Sequence, residues 1–189
     1  MAAWLGPSFC LSTCGTHKMH PIAVEVLDHF ASAEPFCSRR LAAALAKQSP
    51  YNCLKWALSH IEQALKQSDL PPIVARTLDA AQACATDPVA THLPLLDDLT
   101  ERCWATSQCD PHVKSAACRI GWATMCFICE QNRARFTGVR IHCATNGTYA
   151  EMATQSAAAI DMVVEQTAPG RTVVAESFSQ EMASLKSNP

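Results

Sequence analysis

Aromatic residues make up only 6% of this sequence, and glycine occurs six times in 189 residues. With so few large rings, alanine, leucine and cysteine must fill most of the interior. With so little glycine, the chain lacks the compliant backbone on which many phosphate and cofactor loops are built. Also missing are the G-x-S-x-G elbow of acyl hydrolases, a glycine-rich phosphate cradle and the H-E-x-x-H pair of zinc proteases. Charge is sparse: charged residues are 17% of the chain and the formal net charge is −2, so nothing electrostatic favours a nucleic-acid partner or an anionic membrane surface. No run of about twenty uncharged apolar residues occurs, so no membrane-spanning helix is expected. The opening stretch MAAWLGPSFCLSTCG has no basic residue ahead of its apolar part, and Gly6 and Pro7 interrupt that part early, so a secretory signal peptide is not expected either.

What the chain does have is a hydrophobic fraction of 49%, enough at this length for one domain with a sizeable core. It also has eleven cysteines. Their odd number, their spread and their recurrence at inward helical positions point to reduced thiols acting as small hydrophobes rather than to a disulfide framework. A soluble protein of a reducing cytosol is the expectation, with any export using a route that needs no signal peptide. No cofactor is expected.

Helix signals recur along the chain. Residues 1–18, rich in Gly, Pro, Ser and Thr, read as an irregular arm. His20-Pro21 begins a helix with Ile22, Val26, Leu27 and Phe30 on one stripe, and Glu34-Pro35 another with Phe36, Leu41 and Leu45 inward and Ser38, Arg39 and Lys47 outward. Ser49-Pro50, an N-cap followed by a first-turn proline, launches the stripe Leu54, Leu58, Ile61, Leu65, with Trp56 off that stripe and packed between helices. Pro72 opens a helix with Val74, Leu78, Ala81 and Ala85 inward, and Asp87-Pro88 ends it. Pro94 kinks or restarts the next segment, leaving 95–106 helical with Leu95, Leu96, Leu99 and Cys103 as its core face. Asp110-Pro111 opens a long helix to Gln131 in which Cys118, Trp122, Met125, Cys126 and Cys129 share a face. Thr148-x-x-Glu151 is a capping box for the last long helix, with Tyr149, Met152, Ile160 and Val163 near one face, and Pro169-Gly170 closes it. Beyond that, 172–175 reads as a brief β-like run. Phe178, Met182 and Leu185 then have the spacing of a short amphipathic helix, in a tail that is mobile until a partner or a groove on the body orders it.

The expected architecture is therefore all-α: six or seven helices around 110–131, with an irregular arm at 1–18, a helical domain at 19–168 and a weakly anchored tail at 169–189. Residue chemistry supplies few sites within it. Cys126-x-x-Cys129 lies several turns inside a helix, away from the N-terminus that lowers a thiol pKa in redox proteins, so core packing is the preferred reading. Cys10, Cys14, His17 and His20 form a compact C-x3-C-x2-H-x2-H group, a weak candidate for zinc because structural sites usually join two separated pairs. Asp97, Asp98 and Glu101 beside Arg102 read as a solvated acidic face. Arg133, Arg135 and Arg140 flank Phe136 in a stretch where Val139 and Ile141 permit a short extended piece. These basic residues suit contact with a protein partner, as do Phe178, Met182 and Leu185 of the tail. No local signature selects a cysteine–histidine pair for nucleophilic catalysis, so enzymatic activity is the lesser reading.

Four segments, SPYNCLKWALSHIEQAL, LDAAQACATDP, the block around Gly121-Trp122-Ala123, and TYAEMATQSAAAIDMVV, are together similar to a family of uncharacterised helical bacterial proteins encoded in or near type VI secretion gene clusters. The chain differs from that family at 133–147, where a Gly-Pro-rich connection is replaced. The resemblance implies a non-enzymatic interaction protein, made in the bacterial cytoplasm, exported by a contractile apparatus, bound to the tube-forming Hcp protein and acting on a host protein inside a host cell. The alternatives are a cytosolic immunity or accessory protein of the same loci, or a Cys/His zinc protein or enzyme.

Overall fold

The computed structural model describes residues 38–66, 68–133, 147–164 and 168–187. Those residues form seven helices and one 3-10 turn, with no strand among them. The elements are α1 (Ser38–Gln48), α2 (Pro50–Leu65), α3 (Pro72–Thr86), the turn Ala90–His92, α4 (Leu93–Ala105), α5 (Pro111–Gln131), α6 (Tyr149–Val163) and α7 (Ala168–Ser187). The fold is all-α, as expected. The predicted arm and the predicted helix beginning at Pro21 lie outside the described residues.

Three helix starts follow directly from local chemistry, because the first amides of a helix have no partner of their own. Ser49 Oγ accepts from the Asn52 amide at 3.2 Å, with Pro50 in the first turn. The Asp110 carboxylate accepts from the amides of His112 and Val113 at 2.8 and 3.1 Å, again ahead of a proline. At Thr148 the capping box is complete: its hydroxyl accepts from Glu151 N at 3.2 Å while the Glu151 carboxylate accepts from Thr148 N at 3.0 Å.

α5 is the centre. Between Ala116 and Ile128 it has buried residues around its whole circumference, and it packs on α2, α3, α4 and most extensively α6. α6 in turn carries α1 and α2 on its other side. Small residues make this enclosure possible, since Ala116, Ala117, Gly121 and Ala123 let neighbouring backbones approach. The tightest approach is at Gly121, where an added Cβ would lie 2.4 Å from Thr100 Oγ1 of α4. Thr100 cannot turn aside without loss, because its hydroxyl donates to the Leu96 carbonyl at 2.7 Å in a fully buried position. Trp56, 2% exposed, is packed between helices as expected.

Four local expectations are corrected. Leu95 is 56% exposed, because α4 starts at Leu93 with Pro94 in its first turn and Leu93 takes the inward position. Ser38 faces inward rather than outward, since its hydroxyl donates to Asp161 at 2.5 Å and ties α1 to α6. The stretch 172–175 is helical, not β-like: Val174 and Ala175 pack inward as part of α7. Pro169-Gly170 does not close α6, which ends at Val163, but falls in the first turn of α7, where proline needs no amide partner.

Gly121→Ala is expected to destabilise the protein. Overpacking costs about 1–3 kcal/mol, whereas alanine regains only about 1 kcal/mol of helix propensity over glycine. Combining it with Thr100→Ala, which vacates the clash, should give a loss smaller than the sum of the single losses by more than about 0.5 kcal/mol. Urea unfolding of the two single variants and the double variant measures this.

Candidate functional site

The C-terminal helix docks on the body through one compact cluster. On the apolar side, Phe178 is 0% exposed and meets Trp56 edge-on, ring centroids 6.4 Å apart at 69°, while Trp56 meets His60 at 5.3 Å and 89°. On the polar side, Ser177 Oγ accepts from Trp56 Nε1 at 2.7 Å and lies 2.6 Å from His60 Nε2 and 3.1 Å from the Val174 carbonyl. The helical offset explains the geometry. Trp56 and His60 stand one turn apart on α2, so adjacent residues 177 and 178 of α7 meet the indole N–H and the indole ring together.

A serine hydroxyl at hydrogen-bond distance from a histidine has the form of a nucleophile and its base. Among the described residues, no hydrogen bond from a third group orients the other ring nitrogen of His60. The indole N–H already fills an acceptor position on Ser177 Oγ. What this pair does is hold α7. Asn52 Nδ2, donating to Glu181 at 3.4 Å, adds a second tie one helical turn further along.

The predicted partner-contacting residues distribute unevenly. Phe178 and Met182 are buried at 0% and 3%, and Leu185 is partly buried against the same core. Their apolar face is thus occupied by α1 and α2, and the ordering groove foreseen for the tail is on the body itself. Arg133 is exposed at the end of α5 and paired with Glu130. Arg135, Phe136, Arg140 and the possible extended piece at 139–141 lie outside the described residues, as do Cys10, Cys14, His17 and His20. In the acidic face, Asp98 and Arg102 pair at 3.4 Å with both side chains more than half exposed, an arrangement of little energetic weight.

The seven described cysteines are unbridged, and no group of three His, Cys, Asp or Glu side chains suited to a metal occurs among the described residues. Cys126 is fully buried and burial pushes its thiol up to about 12, so it is un-ionised near neutrality. Cys129 is partly buried and its thiol is also raised by burial. The C-x-x-C is a core feature. No described helix is long and apolar enough to cross a membrane.

One open surface feature escaped the sequence reading. Between α2 and α3 runs a groove of about 380 Å³ with Leu58, Ile61, Leu65, Leu70 and Leu78 along it and Glu62, Lys66 and Asp79 at its rim. Leu58, Ile61, Leu65 and Leu78 were legible as inward-facing, but periodicity does not distinguish the buried first three from Leu78, which stays partly exposed. The Asp69-to-Pro72 interruption, which separates the ends of α2 and α3, is the available signal. Comparison of the chain with protein-family models, with curated proteins and with solved structures finds no match.

Two outcomes are expected at the α7 dock. Phe178→Ala removes a fully buried ring and should cost about 3–5 kcal/mol. His60 is held below the ordinary histidine value of 6.5 by burial. Its neutral form is the docked form, so its contribution to stability is present above 6.5 and is lost as the pH falls through the lower folded value, because the unfolded chain takes up the proton first. Urea midpoints measured from pH 7.5 down to pH 5 should fall for the wild type and fall less for His60→Gln.

Proposed function

We propose that this chain is a non-enzymatic interaction protein of a bacterial type VI secretion system, carried out of the cell with the Hcp tube protein and acting through protein contacts in a host cell. The observation that carries the interaction reading is the α2–α3 groove. Its partly exposed Leu70 and Leu78 beside the charged rim of Glu62, Lys66 and Asp79 have the chemistry of a site for an amphipathic segment of a protein, with apolar anchors below and polar groups fixing register at the edge. The secretion system and the Hcp partner rest on the sequence resemblance. Two of the four segments that carry it, SPYNCLKWALSHIEQAL and LDAAQACATDP, supply much of α2 and α3, the two helices that wall the groove.

Residues along the groove are better probes than truncation. Deleting α7 would uncover Trp56 and the face of α2 behind it, and any lost binding would then report a damaged fold. Leu78 is only partly buried and Asp79 is exposed. Leu78→Glu combined with Asp79→Arg should therefore keep the helical content seen by circular dichroism, while reducing retention on immobilised Hcp by at least about tenfold, the equivalent of roughly 1.4 kcal/mol. The wild-type chain should reach the medium only from bacteria with a functional contractile apparatus. Failure of the wild type to bind Hcp or to leave such bacteria sinks the delivered-effector reading and favours the cytosolic immunity or accessory role.

A further inference from the structure

A second constellation of thiols lies at the crossing of α4 and α5, two to three helical turns along the central helix from its C-x-x-C. The two helices run antiparallel and approach most closely where Gly121 meets Thr100. Moving three residues along each helix in opposite directions brings Cys103 opposite Cys118. Both are fully buried, and they share a small cluster with Val74 and Ala117, against which Cys109 is partly packed. Cys118 Sγ donates to the Thr100 carbonyl at 3.7 Å, which places its sulfur over the turn of α4 that leads to Cys103. A disulfide needs Cα atoms about 4.4–6.8 Å apart, and the close approach at Gly121, one turn from Cys118, draws the two backbones together.

The surroundings favour reaction at Cys103. The Cys118 S–H, which donates to the Thr100 carbonyl, can turn instead to the Cys103 sulfur; that hydrogen bond is the largest influence holding the Cys103 thiol below its ordinary range despite burial, with Thr77 and the charge of Lys114 acting in the same direction. Thr77 Oγ1 otherwise donates to backbone carbonyls, at 2.8 Å to Ile73 and 3.2 Å to Leu99, so its proton is available to turn toward a thiolate. Cys53 and Cys126, by contrast, are pushed up to about 12. Access comes from the end of the helix. Cys103 lies in the last turn of α4, where fraying opens the backbone first, and an open cleft of about 440 Å³ adjoins Cys109 just beyond it.

We propose that Cys103 and Cys118 are a peroxide-responsive thiol pair that closes into a disulfide across the α4–α5 crossing. In the first step the Cys103 thiolate attacks one peroxide oxygen; the O–O bond breaks, Cys103 becomes a sulfenic acid, and hydroxide leaves and takes up a proton to form water. In the second, the Cys118 sulfur attacks the sulfenic sulfur, the S–S bond forms, and the hydroxyl departs as water with the Cys118 proton. Hydrogen peroxide is reduced by two electrons to two waters, and the two thiols are oxidised by the same two electrons. This pair is independent of the delivery reading above and of the groove.

The test uses the native full-length chain, treated with hydrogen peroxide, blocked with N-ethylmaleimide and digested with trypsin. Cleavage after Arg102, Lys114 and Arg119 puts Cys103 and Cys109 on one peptide and Cys118 on the next. A Cys103–Cys118 bridge joins the two peptides, whereas a Cys103–Cys109 bridge closes a ring within the first, and fragmentation separates Cys103 from Cys109 as the partner of Cys118. The expected result is the joined pair through Cys103, a loss of two titratable thiols per chain, unchanged bridging in Cys109→Ser, and a dimedone-reactive Cys103 in Cys118→Ser. A bridge through Cys109, or oxidation of other cysteines while Cys103 and Cys118 stay alkylatable, overturns the proposal. So does bridging that appears only above the urea unfolding transition of the wild type, a measurement that needs no variant to fold.

Discussion

Enclosing α5 on every side requires that other backbones come close to it, and the contact between Gly121 and Thr100 sets how close. A helix that touches four others cannot carry large side chains in every direction, so its interior half is built from alanine, cysteine, threonine and glycine with a few large residues between them. The consequence is a core held by many short-range contacts rather than by aromatic mass. Such a core is sensitive to added volume, because close packing leaves no space for a methyl group to relax into.

The same constraint governs polar groups. Thr77, Thr100 and Thr124 are fully buried, and each satisfies its hydroxyl by donating to the carbonyl four residues earlier in its own helix, at 2.8, 2.7 and 2.9 Å. For Thr100 and Thr124 this places a hydroxyl in the interior with a partner in its own helix, while Thr77 also reaches the Leu99 carbonyl of α4 at 3.2 Å. Several polar contacts between elements join distant parts of the chain: Ser38 with Asp161, Asn52 with Glu181, and Trp56 and His60 with Ser177.

Much of the fold was legible because helix starts have a local chemistry. Ser49-Pro50, Asp110-Pro111 and the Thr148 box each state a boundary in two to four residues, and the stripe Leu54, Leu58, Ile61, Leu65 is buried throughout. Ambiguity arose where local signals compete with tertiary ones. Leu95 fits an inward stripe only if the helix begins after Pro94, and starting it two residues earlier turns the stripe and brings Leu93 inside. Thr172 to Ala175 is β-prone in isolation, but burial of Val174, Phe178 and Met182 on one face rewards a helix. The candidate sites were less legible. A groove is defined by what fails to cover two helices, and the Cys103–Cys118 pairing depends on the antiparallel register of helices rather than on spacing in either one.

The cross-chain ties have a consequence for synthesis. α3, α4 and α5 are consecutive and pack on one another, so they can assemble as they leave the ribosome. α1 and α2 have a different order of events. The face of α1 that meets α6, and the Trp56 pocket of α2 that receives Phe178, find their partners more than a hundred residues later in the chain. Until α6 and α7 are made, those helices present uncovered apolar surface of the kind that makes partly folded chains prone to aggregate. α7 thus completes the packing of helices that precede it by more than a hundred residues.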